Sequence, residues 1–367
     1  MIARGMDALH ARKAALILRD ALADWQAGRL SRLRAGHWAA SALALAILAV
    51  PPILLIGAAI LAIAGWPSIS VMVIAALLAL MGAVLLPRRP RLPDRLLRAD
   101  DMPETFALLD ALADAMQAPR ITALTIEEDA NAHVAQMRGE VLLGIGAILW
   151  SAATPEARRA ILAHEMGHLV NGDPRRGGAI WQAREVLARW HDLIAPHGSG
   201  GESLASEVIQ LPATLAIEVL DAALLRLTYP ESQRAEYLAD ALAAQTAGSR
   251  AMISAMKLLS HSPLLDARFN RLYGPSAPQG AACVAWIADA IVDPSSDDAQ
   301  RIAADMAAEL HTVDASHPPT GHRIAFLHAL DLPPSDLPMA GGPALEVEWA
   351  PHLDRIGDRW RRAAMVQ

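Results

Sequence analysis

From Trp38 to Leu86 the chain runs for 49 residues without a single charged side chain. A helix that crosses a bilayer needs about 20 apolar residues, so this run has length for two crossings. Soluble cores rarely hold so long a helical stretch without charge. The natural break is Gly65-Trp66-Pro67-Ser68, a turn-forming cluster with an interfacial aromatic. The run therefore predicts one span over roughly 38–64, kinked at Pro51-Pro52, and a second over roughly 69–86. Both flanks are basic. Residues 1–36 carry seven Lys/Arg against three Asp/Glu, and Arg88, Arg89, Arg91, Arg95 and Arg98 follow the run. The positive-inside rule then predicts both flanks, and so all of residues 87–367, on the cytoplasmic side. A cleavable signal sequence fits poorly, because its apolar region is shorter and nearer the start.

The remainder reads as a globular domain with attachments. Alanine and leucine supply much of a 53% apolar content while aromatics are 4%, a balance that favours helix. The expected fold class is mainly α with a small β-sheet (α+β). The expected layout is a basic helical arm over 1–36, a transmembrane hairpin over 37–87, a catalytic domain over 88–330 and an extension over 331–367. Pro103 to Gln117 reads as a helix. Ile121 to Ile126, Ala132 to Met137 and Val141 to Ile145 read as short strands. Thr154-Pro155-Glu156 opens a helix that stops near Asn171-Gly172, since threonine caps, proline suits the first position and glycine ends it. Residues 178–195 are amphipathic. A Gly/Ser-rich loop from His197 to Gly201 follows, and then a very apolar helical pattern over 204–228, buried or resting on the membrane. The net charge of -7 gives no sign of nucleic-acid binding, and the single Cys283 excludes an intrachain disulfide and a cysteine-rich metal site.

Three motifs carry chemistry. In His164-Glu165-Met166-Gly167-His168 the two histidines sit at i and i+4, on one helix face, so both imidazoles reach one metal. Glu165 stands one step round the helix, placed to take a proton from water rather than to ligate, and Gly167 leaves room for close backbone packing. A catalytic zinc needs a third protein ligand and an open position. The best candidate is Glu236 in Arg234-Ala235-Glu236-Tyr237-Leu238-Ala239-Asp240, where Asp240, at i+4, can orient a histidine through its other ring nitrogen. In His317-Pro318-Pro319-Thr320-Gly321-His322-Arg323 the prolines fix His317 relative to Arg323, and a donor there can stabilise a tetrahedral oxyanion. His322 and His328 read as solvated helix residues.

With Asn131-Ala132-His133-Val134 as a weaker fourth block, these motifs resemble, in the same order, those of the HtpX and CAAX-prenyl-protease (Ste24-like) integral-membrane zinc metallopeptidases. Asp173 lies just beyond the first block. The resemblance spans about residues 87–330, with histidine at 133 where the family has phenylalanine. It implies a gluzincin-type domain holding one Zn2+ per chain through His164, His168 and Glu236, with Glu165 as general base and His317 or Arg323 at the substrate or oxyanion. It implies a protein or peptide substrate lying extended along an edge strand near Val141 to Gly146, with Asn131, Ala132, Val141, Leu142, Leu143 and Gly144 as contacts. It also suggests quality-control cleavage in a bacterial inner membrane. The partners expected are substrate and bilayer, with no nucleic acid. The rivals are a scaffold that keeps zinc for folding alone, and a latent peptidase whose N-terminal arm or 196–203 loop blocks the cleft.

Overall fold

The structure is a computed structural model that describes residues 2–31, 35–88, 91–194, 204–274, 277–308 and 317–366. The chain is mainly helical, with one small mixed sheet. Its first three helices are α1 (Ile2–Gln26), α2 (Ala35–Gly65) and α3 (Ile69–Leu85). Next come α4 (Pro103–Met116) and the strands β1 (Ala123–Glu127), β2 (Ala132–Met137) and β3 (Glu140–Gly146). They lead into α5 (Ala147–Ala152), α6 (Pro155–Asn171), α7 (Asp173–Arg176) and α8 (Gly178–Ile194). The chain continues through α9 (Leu204–Ala247), α10 (Ser249–Ser260), α11 (Leu265–Phe269) and α12 (Gly280–Val292). It closes with α13 (Ser296–Ala308), α14 (Thr320–Leu330) and α15 (Pro343–Val366). It divides into two compact units. One is Met1–Arg32, Leu92–Pro174 and Gln233–Gln367; the other is Leu33–Arg91 and Arg175–Ser232.

The second unit is built from α2, α3, α8 and the first part of α9. At about 1.5 Å per residue, the 31 residues of α2 exceed the thickness of a bilayer core. By length and composition α2 can cross a membrane; α3, at 17 residues, is a shorter apolar helix. Ile53, Ile56, Ile60 and Ile63 on α2 and Ile69, Leu77 and Leu80 on α3 point outward. The inner side is small or aliphatic: Ala40, Ala44 and Ile47 pack with Ala183, Leu187 and Trp190 of α8 and with Ile217 and Leu224 of α9. Trp190 Nε1 donates to the carbonyl of Leu85 at 3.1 Å, satisfying an acceptor at the end of α3. The Gly/Ser-rich loop expected at His197 to Gly201 lies outside the described residues. The 204–228 pattern runs on without a break into the Glu236 block as one 44-residue helix that passes Pro212 and Pro230.

In the first unit the sheet order is β1-β3-β2, with β1 parallel and β2 antiparallel to β3. This corrects one expectation. The segment Val141 to Gly146 is the central strand, hydrogen-bonded on both sides, and cannot accept another strand; the free edge is that of β2. Helix α6 lies against the sheet through Leu162, Met166 and Leu169, which share a core with Leu143 and Ile145 of β3, Leu109 and Leu112 of α4, and Trp349 of α15. Its ends are those the sequence anticipates. Thr154 Oγ1 accepts from the Ala157 amide at 3.3 Å, Pro155 is the first helical residue, and Gly172 takes the left-handed conformation at φ 75°. The other face of α6 packs through Ala160 and Ala163 on Ala243 and Ala244 of α9, Met252 of α10 and Leu327 of α14. The N-terminal arm is tied to the same unit, because Arg234 pairs with Asp24 and donates to the carbonyl of Leu30.

Candidate metal centre

Helix α6 presents His164 and His168 to α9 at a point where the two backbones nearly touch. A side chain on Gly167 would lie 2.9 Å from Cα of Ala239. That approach brings Glu236, one helical turn before Asp240, opposite the histidines. The two Nε2 atoms are 3.2 Å apart. His164 Nε2 lies 3.6 Å from Glu236 Oε2, and His168 Nε2 lies 3.6 Å from Oε1. His164 and Glu236 are buried, and His168 is nearly so.

The donors fit a zinc ion. Nitrogen and oxygen ligands about 2.0–2.2 Å from a tetrahedral centre stand about 3.3–3.5 Å from one another. The nearest approaches are close to that size: 3.2 Å between the histidines, and 3.6 Å from each histidine to one or other Glu236 oxygen, with one donor atom from each residue lying within 4.8 Å of the rest. The donor set itself, two imidazole nitrogens and one carboxylate, is one that a catalytic zinc takes.

Each of the three side chains is braced from behind. His168 Nδ1 is 2.9 Å from Asp173 Oδ2, and Asn171 donates to the other oxygen of Asp173 at 2.5 Å. His164 Nδ1 is 3.1 Å from Asp240 Oδ1. Arg323 forks onto Asp240, Nε to Oδ2 at 2.8 Å and Nη2 to Oδ1 at 2.6 Å, and its Nη2 lies 3.3 Å from Glu236 Oε2. His317 Nδ1 reaches the same oxygen at 2.8 Å, while its ring stays 58% exposed.

The electrostatics are those of a site built around positive charge. Burial pushes the Glu165 carboxyl up, partly offset by His164 and His168. Burial also opposes charge on His168, yet the Asp173 hydrogen bond and the Glu236 and Glu165 carboxylates push it up to about 9. The Glu236 carboxyl stays well below the usual range in spite of burial, because Arg323 and His317 face it. Asp240 is held down against burial by Arg323 and His164.

A cleft of about 850 Å³ opens on this cluster, lined by Asn131, Ala132, His133, Glu165, His317 and Arg323 among others. A second cavity of about 940 Å³, between Arg159, Gly248 and Pro334, holds no metal-ligating cluster among the described residues, so size alone does not locate the site. Of the sequence-nominated residues, His164, Glu165, His168, Glu236, Asp240, His317 and Arg323 come together. Asn131 and Ala132 line the cleft, whereas Val141, Leu142, Leu143 and Gly144 do not. Asp173 is the residue to which sequence alone assigns no role. Its signal is its place, just past the Gly172 cap, where a carboxylate can turn back on the last histidine. His322 is half-buried and His328 exposed.

The profile of peptidase family M48 matches residues 101–331, and the chain belongs to that family, the HtpX- and Ste24-type metallopeptidases. Among its curated relatives is Protease HtpX of Pseudomonas putida (strain W619), 29% identical over 130 residues, covering 33% of this chain and 43% of that protein. Protease HtpX of Pseudomonas entomophila (strain L48) is 28% identical with the same coverage. The protein of that name from Stutzerimonas stutzeri (strain A1501) is 28% identical, over 33% of this chain and 44% of its own length. The chain thus spans less than half the length of the relatives it matches.

Proposed function

We propose that this chain is a membrane-anchored zinc endopeptidase that hydrolyses peptide bonds with Glu165 as general base. The observation that carries the reading is the His164–His168–Glu236 cluster, close enough together to hold one ion, beside a buried carboxyl in an open cleft. Zinc bound there would polarise the scissile carbonyl and bring the pKa of water toward about 7. Glu165, its proton affinity raised by burial, is suited to accept a proton and pass it to the leaving amine. His317 is anchored at Nδ1 and exposed at its far side, which suits donation to the developing oxyanion. The fork of Arg323 is taken up by Asp240, so in this reading Arg323 positions Glu236 and Asp240 rather than substrate.

Substrate adds as a strand to β2. The amide of Gly146 donates to the carbonyl of Asn131, which makes 131, 133 and 135 the inward-bonded positions. Ala132 and Val134 then offer their N–H and C=O groups at the free edge, next to the cleft.

The two-histidine, one-glutamate set belongs to a gluzincin-type domain over 88–330. The α2–α3 pair forms the transmembrane hairpin, with the basic flanks and the peptidase domain on the cytoplasmic side of an inner membrane. Substrates are proteins or peptides, in keeping with membrane-protein quality control. A zinc scaffold would need a closed site of four protein ligands, and among the described residues the cluster has three. The 196–203 loop of the latent alternative lies outside the described residues.

The test of this reading is metal content. Purified chain is expected to carry about one zinc, and Glu236→Gln less than a tenth of that. Full metal in Glu236→Gln would overturn the ligand assignment.

A further inference from the structure

Away from the metal centre, a small pocket of about 80 Å³ opens between the arginine-rich linker and α15. Its rim is Arg95, His352, Arg355 and Arg359; its floor is Leu97, Ile126 and Ile356. The linker is fixed there by a two-way backbone bridge, Leu97 to Leu124, each amide donating to the other's carbonyl at 2.8 Å. Helix α15 is fixed by Trp349, which stacks on Trp150 with ring centroids 4.0 Å apart. Neither side of the pocket is a loose tail.

The rim is short of negative charge. Arg359 pairs with Glu128 at 2.9 Å. Arg355 donates to the Pro351 carbonyl at 3.0 Å and to His352 Nδ1 at 2.9 Å, with no carboxylate in ion-pair range among the described residues. Arg95 has no hydrogen bond or ion pair among them. Glu348 and Asp101 face His352, but their pull is outweighed there: burial, then Arg355 and Arg95, hold the imidazole below its usual value. The Arg355 guanidinium is likewise pushed down by burial and by Arg95 and Arg359. Because His352 Nδ1 accepts from Arg355, Nε2 is left as the ring's donor. Every polar group on the rim is thus a donor, and the guanidinium forks match phosphate oxygens two at a time. Arg95 also belongs to the same basic linker that follows the apolar helices in sequence.

We propose that the pocket between the 92–98 linker and α15 binds the phosphate headgroup of an anionic phospholipid, with Arg95 and Arg355 as its main ligands. A basic segment next to membrane-crossing sequence is where an anionic leaflet supplies such a group. The apolar floor offers a contact to the ester carbons next to the phosphate, which a free phosphate ion lacks.

The test compares full-length protein in detergent with the Arg95→Gln/Arg355→Gln double variant and with Arg271→Gln/Arg362→Gln, which removes two exposed charges that do not line the pocket. The probes are dioleoyl phosphatidylglycerol, dioleoyl phosphatidylcholine and inorganic phosphate. Retention is read by native mass spectrometry and stabilisation by thermal shift. Wild type is expected to retain phosphatidylglycerol over phosphatidylcholine, and the pocket variant to bind it about thirtyfold more weakly, at a contribution per surface charge typical of anionic membranes. The control variant should match wild type. Should the double variant fold poorly, Arg355→Lys, which keeps the charge but not the fork, is expected to lose part of the selectivity. Equal loss in pocket and control variants would reduce the effect to general charge attraction and overturn the site. No loss in the pocket variant would also overturn it. Equal stabilisation by inorganic phosphate would overturn the lipid as occupant.

Discussion

Replacing Gly167 by alanine perturbs the metal centre without touching a ligand. The added Cβ would lie 2.9 Å from Cα of Ala239, 3.2 Å from its Cβ and 3.3 Å from its carbonyl oxygen. Carbon atoms pack at about 3.5–4.0 Å, so α6 and α9 must separate by about 0.6 Å. The nearest atom is backbone, and no rotamer change relieves it. Overpacking of this kind costs about 1–3 kcal/mol. Alanine returns about 0.8–1 kcal/mol through its higher helix propensity. The fold therefore loses only about 0–2 kcal/mol, and the variant is expected to purify folded. The metal site has no such compensation. Ala239 lies between Glu236 and Asp240, so the separation falls on the 3.6 Å gaps between Glu236 and the histidines. A displaced ligand brace typically costs about tenfold to a hundredfold in affinity. Zinc affinity is measured by competition with a chromogenic chelator, and fold by circular dichroism. Adding Ala239→Gly takes away the clashing methyl group of α9 but leaves its backbone in the way, so the double variant is expected to recover part of the loss. A Gly167→Ala protein with wild-type zinc affinity would refute the claim that this crossing sets the ligand spacing.

Two further outcomes follow from the same geometry. In the metal-free protein His168 holds its proton up to about pH 9, so zinc must displace it; affinity should climb by up to about tenfold per pH unit between 6.5 and 9 and then level off. Because this folded-state value lies above the unfolded one, His168 stabilises the metal-free fold fully below about pH 6.5, and that contribution fades as pH rises through 9. Calorimetry in buffers of different ionisation heat reads the proton released, and a flat pH dependence would contradict the assignment. Trp349→Ala, which deletes a fully buried ring stacked on Trp150 and bonded through Nε1 to Thr105, should destabilise the first unit by about 3–5 kcal/mol. A loss under about 1 kcal/mol in chemical denaturation would mean that α15 is an appendage.

The cluster of His164, His168 and Glu236, the candidate metal centre, was legible because its information is local. The i, i+4 spacing of His164 and His168, the same spacing of Glu236 and Asp240, and the Thr154-Pro155 start with the Gly172 stop each depend on one helix. What joined the first two blocks, the near-touch of Gly167 and Ala239, was legible only as a small residue with room beside it. Strand order was not legible. Val141 to Ile145 reads as a strand, but its apolar run does not say whether it is edge or centre, and only the pairing with both β1 and β2 decides that. The tail was opaque for a similar reason. Trp349 and Trp360 sit among arginines and acids in the sequence, and their burial against residues some two hundred positions earlier leaves no local trace. The pairing of Arg323 with Asp240 was not legible either, because it joins residues 83 positions apart, and the sequence offered Arg323 only as one of two candidates for the substrate or oxyanion.

The most direct test of the account is a paired assay of wild type and Glu165→Gln, purified in detergent, incubated with casein and analysed for zinc. The substitution keeps the shape of the side chain and leaves His164, His168 and Glu236 in place, so both proteins are expected to carry about one zinc while only wild type cleaves. Cleavage by Glu165→Gln at the wild-type rate would contradict the general-base assignment, and absence of zinc from both proteins would contradict the metal centre itself.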